Sequence, residues 1–128
     1  MTRGHAAFSG LFLTSTWPVL VLAFLAGLFS ATALPPWSFP LGIFGFSVLF
    51  LLIYRTKTIK KGALIVWIFS FGYHLFGLQW ISNALLIDSE QFAWLLPFSL
   101  IGIPALLAII PSLIIPVLCK ILLPPFWF

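Results

Sequence analysis

Between Gly62 and Ile87 the chain carries no Lys, Arg, Asp or Glu, and an uncharged run of that length exceeds the roughly 20 residues that cross a bilayer as a helix. No other feature constrains the fold as much. Its Leu, Ile, Val and Phe residues each favour insertion by roughly 0.3–0.6 kcal/mol at a helix centre, about 6 kcal/mol together as an upper bound. A full charge at mid-depth costs only roughly 2.5–3.5 kcal/mol on the same scale, and the run contains none. Insertion therefore wins without help from a partner. The polar residues are unevenly placed. His74 lies near mid-depth, whereas Gln79, Ser82 and Asn83 crowd the end next to Asp88, where Trp80 takes a headgroup-level position.

The rest of the chain has the same character: 62% of its 128 residues are hydrophobic and 6% charged, against about 25% charged in soluble domains. This composition indicates an integral membrane protein. The net charge of +4 does not indicate a nucleic-acid partner, because Arg55, Lys57, Lys60 and Lys61 cluster between two apolar runs. A topogenic loop accounts for them, and no water-soluble basic face is available to present to nucleic acid. The single cysteine, Cys119, cannot form an internal disulfide and has no metal-ligand companions at a useful spacing. No metal and no cofactor is expected.

In chain order, the first apolar run predicts a helix over 11–33. A cleaved signal peptide is the alternative, with Ala31, Thr32 and Ala33 as the small-residue site. The helix is preferred because the run exceeds a signal core of roughly 7–15 residues and more membrane spans follow it. Ala23, Gly27 and Ala31 recur every four residues, a stripe that lets another helix approach closely. The sequence LPPWSFP (34–40) breaks this helix and puts Trp37 in a turn. A second span is expected over 37–54, then the basic loop on the cytoplasmic side, a third span over 62–87, and Asp88 with Glu90 outside. The fourth span, 92–119, contains Pro97, Pro104, Pro111 and Pro116, the first three spaced to share nearly one helix face. Such a helix should be kinked and packed inside a bundle, with Ser99, Ser112, neighbouring helices or water taking the freed carbonyls. Lys120 marks its cytoplasmic end. The expected fold is thus all-α, a single membrane region over 1–128 with about four transmembrane helices in two hairpins and both termini inside. Residues 121–128 (ILLPPFWF) remain apolar to the end, as in a chain cut short.

Candidate chemistry is sparse. His74 is the one ionisable residue deep in a span, which suits a proton relay or a headgroup contact, or simply a hydrogen bond by neutral imidazole with Ser70 one turn away. Gln79 and Asn83, four apart, share a face that either binds lipid headgroups or joins helices. Asp88 and Glu90 read as a solvated turn, with nothing apolar to raise a pKa for acid–base work. Cys119, beside Lys120, has no His or acid nearby to activate it. No phosphate loop, zinc spacing or serine elbow occurs. The site expectation is therefore lipid or interhelical polar contacts at His74, Gln79, Trp80 and Asn83, with no catalytic residue.

The order LPPW, FPLG, a basic loop, FSFGYHLFGLQWISNALLID and EQFAWLLPFSLIGIPALLAIIPSL resembles the N-terminal membrane segment of the bacterial apolipoprotein N-acyltransferase family. The likeness covers about residues 25–113, and FGYHLFGLQWISNALL with the following EQFAW is its most specific part. The resemblance implies the last step of lipoprotein maturation, in which an acyl chain passes from a phospholipid through a cysteine thioester to the α-amino group of a diacylglyceryl cysteine. In that family the reaction is performed by Glu, Lys and Cys of a nitrilase-like domain outside the membrane, which these residues do not include. Cys119 does not match that nucleophile. The resemblance thus implies an inner-membrane, truncated or split relative that contacts membrane phospholipids, with a separately encoded nitrilase-like domain as candidate partner. Competing expectations are a small four-helix transporter, for which only His74 offers a coupling group, and a non-catalytic membrane scaffold.

Overall fold

A chain with so few polar side chains must pair its backbone groups within each segment, which a helix does unaided. The computed structural model describes residues 16–56, 58–87 and 89–122, and every regular element among them is helical. Helix α1 spans Thr16–Ala31. A 3-10 turn, Pro40–Ile43, leads into α2, Phe44–Tyr54. Then come α3 (Ile59–Gly77), α4 (Gln79–Ile87), the single turn α5 (Ser89–Phe92) and a 3-10 turn, Ala93–Leu95. A π turn, Phe98–Gly102, runs into α6, Ile103–Leu122. The expected all-α class holds. Arg3, Lys57, Asp88, the first residues (11–15) of the first expected span, and the apolar end at 123–128 with Trp127 lie outside the described residues.

The reversals are closed by local hydrogen bonds. After α1 the Thr32 hydroxyl donates to the Phe29 carbonyl (2.6 Å), and Phe39 N–H donates back to the Thr32 carbonyl (2.9 Å). Ser38 adopts a left-handed φ of 45° between them. The second helical segment starts at Pro40 and not at residue 37, because a proline in the first helical turn has no N–H to leave unpaired. At the other end the Thr56 hydroxyl donates to the Leu52 carbonyl (2.7 Å). Helix α3 then begins early enough to include Lys60 and Lys61 in its first turn.

Helix α3 is the centre, with α1 and α6 packed along it and α2 against α1. Glycines set these distances. A Cβ on Gly27 of α1 would overlap the Phe69 carbonyl of α3, and one on Gly72 of α3 would lie 2.8 Å from the Phe24 carbonyl of α1. Gly45 of α2 is pressed against Ser30 of α1, whose buried hydroxyl has no hydrogen-bond partner. The small-residue stripe Ala23, Gly27 and Ala31 is buried. Around it Ala26, Leu49, Leu52, Ile53, Ile65, Val66 and Phe69 form the core, with Ile115 and Cys119 at its margin. The Phe46 ring bridges outward to Phe69 (5.3 Å between centroids) and Tyr73 (5.7 Å).

On α6 the buried residues are Pro104, Ala108, Ser112 and Pro116, one every fourth position, which is the ridge that packs into a neighbour's groove. Pro104 is buried and Pro111, seven residues on in the same helix, half-buried on nearly the same face, but Pro97 is exposed and does not share it. The π turn between Pro97 and Pro104 is the reason: Ile103 N–H reaches back five residues to the Phe98 carbonyl, which changes the rotation per residue. Ser99 and Ser112 donate to the Leu96 (3.0 Å) and Ile109 (2.6 Å) carbonyls, not to carbonyls whose amide partner is replaced by proline four residues on.

The continuous helix expected over 62–87 is broken at Leu78 (φ −99°, ψ 12°), where α4 departs from α3 with a bend of 40°. The expected 92–119 helix likewise starts late, at Phe98, after the 3-10 turn and Pro97. Phe98–Leu122 is a 25-residue helix long and apolar enough to cross a membrane. Helices α3 and α4 qualify only as a bent pair, and Thr16–Ala31 and Pro40–Tyr54 are shorter apolar helices.

Candidate functional site

The bundle has two unlike ends. Neighbouring helices in the alternating order run antiparallel: the start of α2 (Gly45) lies against the end of α1 (Ser30), Phe46 of α2 against Tyr73 late in α3, and Gly62 early in α3 against Pro116 late in α6. Arg55, Lys60, Lys61 and Lys120 therefore gather at one end, all four exposed, beside half-buried Cys119. The opposite end holds the 32–39 turn, the last turn of α3, α4 and α5, and Glu90 is the acidic residue described there. Three exposed tryptophans also lie at this end: Trp37 (67% exposed), Trp80 (63%) and Trp94 (69%). The Trp37 ring is 6.4 Å from that of Phe76, which ties the turn to the end of α3.

All four expected site residues fall toward this second end, but they do not converge. His74 is half-buried on α3, and its Nδ1 lies 2.7 Å from the Ser70 carbonyl of the same helix. A carbonyl only accepts, so Nδ1 carries the proton and Nε2 is the nitrogen left for another group. This bond is intrahelical. Gln79, Trp80 and Asn83 are exposed on α4, and among the described residues neither amide has a hydrogen-bond partner. Their four-residue spacing places Gln79 and Asn83 on one flank of α4, directed away from the other helices.

The polar link between helices that sequence reasoning missed is Trp67, whose indole N–H donates to the Ala105 carbonyl of α6 (3.3 Å) while its ring stacks on Phe71 (5.5 Å). A signal was present: Trp67 sits inside a run, where an aromatic belt does not need it. Chemically the site offers little. Among the described residues no three His, Cys, Asp or Glu approach closely enough to hold a metal ion. Cys119 packs against the core near the basic end and is the only described cysteine. Among the described residues His74 has no acid beside it, and no nucleophile–base pair forms.

The family description "Apolipoprotein N-acyltransferase N-terminal domain" matches residues 26–128. The chain belongs to this family. Among similar apolipoprotein N-acyltransferases, that of Rhizobium etli (strain CIAT 652) is 42% identical over 99 residues, covering 70% of this chain and 18% of the relative. That of Brucella suis biovar 1 (strain 1330) is 41% identical over 107 residues, covering 76% and 20%. That of Rhodopseudomonas palustris (strain ATCC BAA-98 / CGA009) is 37% identical over 111 residues, covering 82% and 21%. The chain spans about a fifth of the length of the curated relatives it matches. No solved structure matches it. The apolipoprotein N-acyltransferase match takes in α2 to α6 whole and continues past residue 113 to the last residue.

Proposed function

We propose that these residues are the membrane-embedded N-terminal part of an apolipoprotein N-acyltransferase, a multi-pass inner-membrane segment that contacts phospholipid and does not turn over by itself. The family match over 26–128 is the observation that carries this reading. The acyl transfer itself is assigned to a nitrilase-like domain outside these residues, on the same polypeptide or separately encoded. Given phospholipid and a diacylated lipopeptide, the purified chain should yield no triacylated product; robust product overturns the reading.

The segregation of charge supports an orientation with the basic end in the cytoplasm, since Lys and Arg near span ends set topology and acids contribute little. The alternating directions of α1, α2, α3 and α6 support the reading of four crossings with both termini on the cytoplasmic side. A reporter fused at residue 58 should be active only as a cytoplasmic fusion, and periplasmic activity there refutes the topology. A transporter finds less support. The one ionisable group well inside a span, His74, is tied to its own helix, and no intramembrane carboxylate is available to couple with it.

A further inference from the structure

We infer that α4 is not the outer end of the third span but an interfacial helix, seated at the boundary between acyl chains and headgroups with its amides toward the headgroups. The inference rests on the membrane reading above and adds to it a surface and a partner, the headgroup layer of a glycerophospholipid membrane. Length comes first. Beyond Lys60 and Lys61 at the basic end, residues 62–77 of α3 rise about 24 Å, against the roughly 30 Å of a bilayer's hydrocarbon core, so only about one turn of hydrocarbon remains for α4 to cross. At that depth the chain bends by 40° at Leu78.

The faces of α4 agree with such a seat. At 100° per residue, Trp80, Ala84 and Ile87 occupy one flank and Gln79, Ser82 and Asn83 another, with Leu86 the one apolar residue on the polar side. Ile81 and Leu85, on the third side, are half-buried, and the helix leans on the Phe98–Gly102 turn. A helix pointing straight out into water has no use for Ile87 at 83% exposure. A helix lying at the boundary submerges Trp80 and Ile87 and raises Gln79 and Asn83, whose amides are unpartnered among the described residues. Trp37 and Trp94, exposed at the same end, mark the same level.

The test is spin-label depth by power saturation, using oxygen and a water-soluble nickel chelate, on the full chain in phosphatidylethanolamine–phosphatidylglycerol vesicles. Single cysteines replace Asn83, Ile87 or, as a control on α6, Ile110, in a Cys119→Ser background. In an interfacial α4, Ile87 lies deeper than Asn83 by roughly 3 Å, the two being about 40° apart around a helix of about 5 Å radius with its side chains. In a straight extension of α3, Ile87 lies roughly 6 Å further out than Asn83, at 1.5 Å per residue. A deep Ile110 with Ile87 below Asn83 supports the inference. A deep Ile110 with Ile87 level with or above Asn83 overturns it and leaves the membrane reading standing, and an Ile110 accessible to the chelate overturns both. Water-soluble maleimide reacting faster at 83 than at 87 gives the same discrimination without a spin label, and the reverse order overturns it.

Discussion

Replacing Gly27 with alanine lowers stability by roughly 1–3 kcal/mol, the range for forcing an extra methyl into a packed core, even though alanine is the better helix former by about 1 kcal/mol. The added Cβ meets the Phe69 carbonyl, which belongs to the backbone of α3 and cannot rotate away. The α1–α3 crossing must open, and the reciprocal contact of Gly72 with Phe24 is lost with it. Gly62→Ala is the control, because a Cβ there would lie 3.3 Å from a Pro116 side-chain carbon, a ring that gives by a few tenths of an ångström. Folded fraction along an SDS titration in mixed micelles measures both. The Gly27 variant should unfold well before the parent and the Gly62 variant beside it. Equal midpoints for all three mean that the crossing does not depend on close backbone approach.

Ile110→Lys carries the second large effect and reverses sign with the environment. Ile110 is 59% exposed near the middle of Phe98–Leu122. On a water-facing surface lysine there is neutral or improves solubility. In hydrocarbon the same change costs roughly 2.5–3.5 kcal/mol on the insertion scale, with no nearby end for the ammonium to reach. The insertion equilibrium constant of α6 should therefore fall by about two orders of magnitude, each 1.4 kcal/mol being tenfold. Glycosylation or carbonate-extraction assays of α6 insertion report it. An unchanged insertion constant removes the case for α6 as a span.

Much of this architecture was legible because its punctuation is local. Pro35, Pro36 and Pro40 close the first helix and open the second, Arg55 and the lysines stop the second, and the uncharged runs between them are long. The break at Leu78 was not legible. Nothing near it is charged or proline, Gly77 is a weak signal, and the uncharged run 62–87 reads as one helix by composition. The spacing of Gln79 and Asn83 did place them on one flank, but which direction that flank faces depends on a bend that spacing cannot report. Pro97 left the expected register for a related reason: a regular helical count carries no record of the π turn at Phe98–Gly102. Family membership was legible in FGYHLFGLQWISNALL, although within the described structure its His, Gln, Trp and Asn assemble no reaction centre.

The innermost cluster draws its fully buried members from positions 23 to 69, while α6 supplies only residues at its margin. Those contacts link neighbouring hairpins, so few of them wait on distant sequence. A nascent chain can thus close its centre before the proline-rich helix has left the ribosome, and that helix arrives as a late cladding on a finished nucleus.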